Sequence, residues 1–285
     1  MNSPPIIFLI TATLIMGGCS LVTDGENYTE LRRPRFCSIN NTIEHQTPDT
    51  LRVVSYNIKF AKKASLVGDL FLNHEDLCRA DVIFLQEMDR EGVESIARKL
   101  NYNYIYYPAV RHPLSNRDFG NAILTKWPIV YDQKLILPHH DPDDLQRVVV
   151  GAGLKIGPHL VMAYSIHMSI WLHPYQRKEQ LETLFANIPS RFDAYIIGGD
   201  FNTYTKYNRK TVFEALTGAG FNLATSPIKW TYKHWYLLNK KSLVDYIFVK
   251  NLEPVGAGTV ANRRASDHLP VWTDLKLIDQ PTAKK

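Results

Sequence analysis

Short apolar runs alternate with amphipathic stretches along most of the chain, and this alternation begins at Leu51. Leu51–Asn57 has the pattern of a buried strand that ends at Asn57. Helical periodicity follows over residues 65–79, then a second apolar run over 81–87 and a second helical pattern over 91–100. Further strands are predicted at 102–107, 121–125, 147–156, 160–166, 195–197, 244–249 and 269–277, and further helices at 174–187 and 211–217. This order favours a layered α+β or α/β fold over a regular doubly wound sheet.

The N-terminal residues have the pattern of a targeting segment. An apolar run over residues 6–16 precedes Gly17, Gly18 and Cys19, and it is too short to span a bilayer comfortably. We therefore interpret residues 1–19 as an export signal. The small residues before Cys19 resemble a bacterial lipobox, in which Cys19 would be lipidated and would anchor the protein to a membrane; the alternative is an uncleaved, membrane-tethering N-terminus. The expected location is outside the cytoplasm, as a membrane-anchored lipoprotein or as a periplasmic or extracellular protein.

The rest of the chain is predicted to form one domain with two flanking segments. Residues 20–49 are polar and are interpreted as a linker or surface arm, residues 50–278 as the domain, and residues 279–285 as a tail. With 285 residues and 45% hydrophobic content, the chain can bury a sizeable core. Its net charge of +5 permits an anionic substrate but equally suits an ordinary solvated surface. We expect a monomer.

Two cysteines follow Cys19, too few for a disulfide framework in a chain of this length. Cys37 and Cys78 could pair in an oxidising compartment. Because Cys78 follows a helical pattern, we predict that it is a small core residue.

Polar residues of a few types stand at or near the ends of the predicted strands. They are four carboxylates, two carboxamides and two histidines: Asn57, Glu87, His167, Asp200, Asn202, Asp245, Asp267 and His268. Strand ends from two sheets can converge on one face, and these groups would then supply oxygen ligands for a hard cation with histidines beside them. Each residue taken alone could be a turn, surface or core residue. Asp245 is the hardest to explain in this way, because a carboxylate inside an apolar strand is costly unless it is paired.

The segments that carry these residues resemble the endonuclease/exonuclease/phosphatase superfamily, which includes nucleases, phosphoinositide phosphatases and sphingomyelinases. The matching segments appear in the order of that family and span residues 51–277. They are Ser55-Tyr56-Asn57-Ile58, Phe84-Leu85-Gln86-Glu87, Gly120-Asn121-Ala122-Ile123-Leu124, Ser165-Ile166-His167, Gly199-Asp200-Phe201-Asn202, Asp245-Tyr246-Ile247 and Ser266-Asp267-His268-Leu269-Pro270. The resemblance implies an α+β fold: a four-layer α/β/β/α sandwich of two mixed sheets flanked by helices.

The resemblance also implies metal ligands. Glu87 would be the main Mg²⁺ ligand with Asn57 beside it, and Mn²⁺ is a plausible substitute. Asp267 would bind a second metal or a metal-bound water.

For the chemical step, the resemblance implies that Asp200 activates the attacking water and that Asn202 positions the phosphate or the water. Asp245 would hold His268 in one tautomer. His268 and His167 would contact the phosphate, and His167 could also protonate the leaving group. Arg147 would contact the phosphate as well, the alternative being a surface arginine.

The substrate is less well specified than the chemistry, because nucleases, phosphatases and lipid phosphodiesterases share this residue set. Basic and aromatic residues alternate over residues 229–241, which would suit stacked bases or a membrane surface; the alternative is that Trp230 and Trp235 pack as core. Trp171 and His173 could line the cleft. Residues 139–144 contain metal-ligand types but are interpreted as a solvated loop.

We rank a general Mg²⁺-dependent phosphodiesterase first, with a nuclease and a lipid phosphodiesterase or phosphatase as its specific forms. The partner would be a nucleic acid, a phospholipid or an inositol phosphate. A binding module that has lost its chemistry would lack some of the eight residues, and all of them are present.

Overall fold

The computed structural model describes residues 25–39, 46–141, 144–234 and 240–278. The four helices of these residues are α1 (Ala64–Asn73), α2 (Arg90–Leu100), α3 (Pro174–Phe185) and α4 (Lys206–Gly218). The strands are β1 (Glu26–Asn27), β2 (Phe36–Ser38), β3 (Leu51–Asn57), β4 (Val82–Met88), β5 (Asn103–His112), β6 (Arg117–Thr125), β7 (Ile129–Leu137), β8 (Arg147–Ile156), β9 (His159–His167), β10 (Ala194–Asp200), β11 (Asn222–Leu223), β12 (Tyr232–Lys233), β13 (Lys241–Ser242), β14 (Asp245–Lys250), β15 (Leu252–Thr259) and β16 (Val271–Leu277).

Two mixed sheets face each other. The eight-stranded sheet has the order β1-β5-β6-β4-β3-β16-β15, with β2 also paired to β5, and the six-stranded sheet has the order β11-β14-β10-β9-β8-β7. The parallel pairs are β3 with β4 and β9 with β10. Helices α1 and α2 share a buried cluster with the outer face of the larger sheet, and α3 and α4 share one with the outer face of the smaller sheet. The predicted four-layer α+β sandwich is therefore confirmed.

Strand alternation decides which side chains enter the layer between the sheets. On β3, Val53 belongs to the cluster between the sheets and Val54 to the cluster under the helices, as a period of two requires. On β10, Ile196 lies in the inner cluster, and a Cβ on Gly198 would come 2.3 Å from the Phe84 ring of the opposite sheet. Gly198 therefore leaves room for Phe84. Burying a side chain of that size contributes about 2 to 3 kcal/mol.

Besides the two- and three-residue strands β1, β2, β11, β12 and β13, the sequence missed two longer strands, β7 and β15, and both of these lie at sheet edges. In β7, Asp132, Gln133 and Lys134 interrupt the apolar pattern, and β15 contains a proline and two glycines, which are poor strand formers. An edge strand needs less apolar surface than a central one, so its sequence signal is weaker. Helix α1 is also shorter than predicted. It ends at Asn73 because His74 adopts an extended conformation.

The described part of the predicted linker or arm lies along the larger sheet, where β1 and β2 both pair with β5. The ammonium group of Lys134 donates to the backbone oxygens of Tyr28 at 2.5 Å and Glu30 at 3.1 Å. The arm is thus held by backbone pairing and by side-chain contacts, among them those of Lys134 and the ion pair of Arg35 with Asp132.

The prediction that Cys78 is a core residue is wrong. The helix ends before Cys78, and the side chain is exposed in the turn that follows, while the neighbouring Leu77 is buried. Cys37 is half-buried, and neither cysteine forms a disulfide.

No helix of the described residues is long and apolar enough to cross a membrane. The predicted export signal at residues 1–19 and the tail at 279–285 lie outside the described residues.

Candidate active site

A cleft of about 350 Å³ opens where the inner positions of the two sheets change from apolar to polar. Seven of the residues singled out in the sequence for the chemistry line it: Glu87, Arg147, His167, Asp200, Asn202, Asp267 and His268. Asn57 and Asp245 have no exposed surface and are hydrogen-bonded to residues of this group. The fold therefore brings together all nine residues to which the sequence assigned a chemical role.

Strand register places three of these groups in one row. Asp200 is paired with His167 across the parallel strands β9 and β10, and with Asp245 across the antiparallel strands β10 and β14. Residues that pair directly have their side chains on the same face. The row is the floor of the cleft, and it follows from backbone pairing alone.

The turn after Asp200 depends on the glycine before it. A Cβ on Gly199 would come 1.8 Å from the backbone oxygen of Ile166, so no larger residue fits there. Beyond the strand, Asn202 adopts a left-handed conformation and its backbone N–H donates to Oδ1 of Asp200 at 2.9 Å. Its side-chain amide donates to the backbone oxygen of Met168 at 2.7 Å, which fixes Asn202 at the wall of the cleft.

Glu87 reaches the cleft through an irregularity in its strand. Alternation would place it with Leu85, which points toward the helices, but the register of β4 shifts between Leu85 and Met88 and Glu87 has a φ of 58°. Such a bulge re-aims a side chain. The Glu87 carboxylate accepts from the Asn57 amide at 2.9 Å and from the backbone N–H of Phe60 at 3.1 Å. Asn57 also donates to Oδ2 of Asp200 at 3.1 Å and so links the two carboxylates.

His268 lies between two buried aspartates. Its Nδ1 is 2.9 Å from Oδ2 of Asp245, and its Nε2 is 3.7 Å from Oδ2 of Asp200. Burial alone would lower the pKa of His268, but the carboxylates of Asp245 and Asp200 outweigh it and raise that pKa to about 10. His268 is therefore an imidazolium at neutral pH.

The surroundings of Asp200 disfavour its charged form, whereas those of His268 favour the charged form. Burial, together with the nearby Asp245 carboxylate, raises the pKa of Asp200 to about 7, although His268 and hydrogen bonds from Asn202 and Asn57 counteract the rise. One imidazolium is thus shared by two buried carboxylates.

His167 is held neutral. Burial, and then the positive charges of Arg147 and His268, hold the pKa of His167 well below its usual value. Arg147 donates to Nδ1 at 3.0 Å, which leaves the ring proton on Nε2, 3.7 Å from Oδ2 of Asp200. His167 therefore presents an N–H group at the floor of the cleft.

Asp141, which the sequence pattern does not single out, orients Arg147. The guanidinium Nε donates to Oδ2 of Asp141 at 2.8 Å, and Oδ1 accepts from the backbone N–H of Ile170 at 2.9 Å. Both side chains are buried, so Arg147 is not a surface arginine. The solvated-loop interpretation of residues 139–144 is wrong for Asp141. Nothing in its local sequence distinguishes it from the aspartates that follow, because its partner is set by the fold.

Lys59 is the second missed residue. Its ammonium lies 2.7 Å from Oδ2 of Asp267, and it lines the cleft. Lys59, Phe60 and Ala61 all have positive φ values, which turn the chain sharply at the end of β3. Ser266 donates to the backbone oxygen of Asn57 at 2.7 Å and joins this turn to the loop that carries His268.

The rim of the cleft is aromatic and exposed on one side. Trp171 is 76% exposed, has a φ of 57° and lines the cleft with Tyr204 and Tyr232. His173 is exposed but does not line the cleft; its ring is stacked on Tyr175. Within residues 229–241, where basic and aromatic residues alternate, Trp230 is half-buried under the ammonium of Lys241, which lies 4.2 Å from the ring centre. Trp235 lies outside the described residues.

A family model and several solved structures match this chain. The model of the endonuclease/exonuclease/phosphatase family matches residues 54–268. An endonuclease/exonuclease/phosphatase from Beutenbergia cavernae superposes with a TM-score of 0.67 at 18% identity, covering 83% of this chain and 74% of that one.

Two further solved structures with the same fold are those of a TDP2 and of a sphingomyelinase. A humanised D. rerio TDP2 has a TM-score of 0.63 at 15% identity and covers 80% of this chain and 100% of its own. Sphingomyelinase C from Streptomyces griseocarneus has a TM-score of 0.57 at 16% identity and covers 79% and 99%. No curated protein sequence matches the chain. At such identities the structures show the fold alone, whereas the family model matches most of the sequence. The chain belongs to the endonuclease/exonuclease/phosphatase family.

Proposed function

We propose that this protein is a Mg²⁺-dependent hydrolase that cleaves phosphate esters, with a phosphodiester as its preferred substrate. The observation that carries the proposal is the row of His167, Asp200 and Asp245 on the cleft floor with the His268 imidazolium beside it. The row and the His268 imidazolium together supply a base and fixed positive charge next to each other, as in-line attack of water on phosphorus requires.

Asp200 is the proposed general base. A base works best when its pKa lies close to the operating pH, and burial and Asp245 raise the pKa of Asp200 to about 7. Asn57 and the backbone N–H of Asn202 hold its two oxygens in place. A water bound beside Asp200 would lose its proton to this carboxylate as it attacks.

The positive side of the cleft would stabilise the charge that develops on the phosphoryl oxygens. His268 is a cation fixed by Asp245, Arg147 is a cation fixed by Asp141, and His167 offers its Nε2 proton. Because these groups are held before the substrate arrives, they need no reorganisation during the reaction. Asn202 would position the phosphate or the water.

Glu87, Asn57 and Asp267 fit a hard cation, because all their ligand atoms are oxygens. Potential ligand atoms of Asp200, Asp245 and His268 also lie within 4.8 Å of one another, but this group includes an imidazole nitrogen, whereas Mg²⁺ prefers oxygen ligands. We therefore place Mg²⁺ at Glu87, with Mn²⁺ as a substitute. Bound there, the cation would polarise a phosphoryl oxygen and neutralise charge on the leaving group.

The candidate substrate classes are nucleic acids and phospholipids or inositol phosphates. One solved structure with this fold is D. rerio TDP2 in complex with a single-stranded DNA product, and another is a sphingomyelinase. Export with lipidation of Cys19 would bring the protein to extracytoplasmic esters, and we propose that it acts there as a monomer.

A substrate panel tests this proposal. Residues 20–285 would be incubated with Mg²⁺ and plasmid DNA, single-stranded DNA, RNA, sphingomyelin, phosphoinositides or an aryl phosphodiester, each beside Asp200→Asn and beside EDTA. We expect turnover of at least one class that both EDTA and the substitution abolish. Turnover that survives the substitution would rule out the assigned base.

Glu87→Gln tests the metal site separately. Removing one charged ligand while keeping its shape should raise the Mg²⁺ concentration for half-maximal activity at least about tenfold. An unchanged Mg²⁺ titration would remove Glu87 from the metal site.

A further inference from the structure

A second cavity of about 280 Å³ adjoins the cleft, and its lining is strongly basic. We call it the basic pocket. The charged residues that line it are Lys59, Lys62, Lys63, Arg263, Arg264 and Asp267. They come from two loops far apart in the sequence, one after β3 and the other between β15 and β16.

The charge of the basic pocket is not balanced by the protein. Asp267 is its one acidic residue, and Asp267 is already paired with Lys59. Among the described residues, no acidic side chain pairs with Lys62, Lys63, Arg263 or Arg264. Asp69, which lines a neighbouring groove with Arg264, is paired with Lys99.

The arrangement brings like charges together despite their repulsion. The ammonium of Lys63 donates to the backbone oxygen of Arg264 at 2.6 Å, which ties the two loops to each other. Lys62 and Lys63 also precede α1, where the positive end of the helix dipole disfavours further cations. An anion bound between the loops would relieve both penalties.

The basic pocket and the cleft share a wall, because Lys59 and Asp267 line both. A second anionic group close to a reacting phosphate above Asp200 would therefore lie next to the cations of the basic pocket. Arginine and lysine side chains are the usual protein donors to phosphate oxygens.

We infer that the basic pocket binds a second phosphate group of the substrate, next to the one that is hydrolysed. This inference rests on the proposed function, since it takes the cleft as the site of the reacting phosphate. It assigns the protein a preference for multiply phosphorylated esters over esters with a single phosphate. Two sources share this chemistry: phosphorylated inositol headgroups and oligonucleotides with a terminal phosphate.

The test uses two substrate pairs, each differing by one phosphate. The first is glycerophosphoinositol against glycerophosphoinositol 4-phosphate, and the second is a dinucleotide without and with a 5′-phosphate. In at least one pair the second phosphate should raise kcat/KM at least about tenfold, which corresponds to about 1.4 kcal/mol. The pair that responds identifies the source.

Two double variants test whether the basic pocket causes the gain in kcat/KM that the second phosphate gives. Arg263→Gln with Arg264→Gln, and separately Lys62→Gln with Lys63→Gln, should each remove most of the gain. The matched control is Lys178→Gln with Lys210→Gln, which removes two charges from exposed lysines of α3 and α4. The control should keep the full gain. No gain in either pair, or a gain that survives both double variants, would overturn the inference.

A binding measurement separates this inference from the proposed function. Inorganic pyrophosphate would be titrated into the protein in EDTA, where no turnover is needed, and the Arg263→Gln, Arg264→Gln variant should bind it at least about tenfold more weakly. Such binding in a protein that hydrolyses no ester would support the basic pocket and count against the proposed function. If turnover requires Asp200 but is unchanged in both double variants, the proposed function would stand and the inferred phosphate site in the basic pocket would be overturned.

Discussion

The floor and the rim of the cleft differ in how their polar groups are held. On the floor, Asp200, Asp245 and His268 are buried and linked to fixed partners. On the rim, Trp171 projects into solvent. Of the cations that line the basic pocket, Lys59 is paired with Asp267, and the others have no acidic partner among the described residues. A buried charge cannot lose its partner without a large penalty, whereas an exposed side chain can change freely. The floor therefore fixes the chemistry, and the rim is free to set the substrate.

The largest effect should come from removing a charge from the floor. His268→Ala deletes the imidazolium between Asp200 and Asp245, and we expect kcat to fall about a thousandfold because fixed charge stabilisation is lost. Steady-state kinetics on the best substrate would measure it. The control, His140→Ala, removes a histidine that pairs with an exposed aspartate, and activity should be unchanged. A His268→Ala enzyme within tenfold of the parent would contradict the comparison.

The next effect concerns the contribution of the Asp141–Arg147 ion pair, which lines the cleft, to the stability of the protein. Asp141→Asn leaves the buried Arg147 without its counter-charge, so the free energy of unfolding should fall by about 3 kcal/mol. Asp144→Asn removes a carboxylate that is 87% exposed and should change stability by less than about 0.5 kcal/mol. Urea denaturation would measure both. Equal losses would mean that the Arg147 pair is not a buried support of the site.

The pH profile should move when Asp245 is neutralised. A base at Asp200 must be deprotonated, so activity should rise through about pH 7, and it should fall near pH 10 as the His268 imidazolium loses its proton. Asp245 raises both pKa values, so Asp245→Asn should lower both and move the two limbs of the kcat/KM profile toward acid. A profile with unchanged limbs would show that other groups titrate in the reaction.

The smallest effect should come from the rim. Trp171→Ala removes a side chain that is 76% exposed. The free energy of unfolding of the variant should therefore stay within about 0.5 kcal/mol of that of the parent. Its KM should change by different factors for different substrates, while kcat for a small aryl phosphodiester stays within about twofold. A large loss of stability would show that Trp171 belongs to the core and not to the rim.

The sequence was sufficient for the floor because strand alternation and the motif residues act together. His167 and Asp200 stand where parallel strands end, Asp245 stands where an antiparallel strand begins, and the registers bring these three residues into one row. Buried strands interleaved with amphipathic helices indicated layers of α+β or α/β type, and the family resemblance implied that there are four of them.

What the sequence could not give depends on distant contacts. Glu87 faces the cleft only because β4 has a bulge, and alternation alone points it toward the helices. The role of Asp141 depends on its contact with Arg147, and that of Lys59 on its contact with Asp267. Both contacts form only in the folded chain. The edge strands β7 and β15 lack a continuous apolar pattern because each has one neighbouring strand instead of two.

The most direct test of the proposed chemistry is hydrolysis of the best substrate in H₂¹⁸O by the parent and by Asp200→Asn, with the label traced in the products. If water activated at Asp200 attacks phosphorus, the parent should place ¹⁸O in the phosphate product, and Asp200→Asn should be slower by at least about a hundredfold. Label in the alcohol product, or Asp200→Asn turnover equal to that of the parent, would contradict the proposed chemistry.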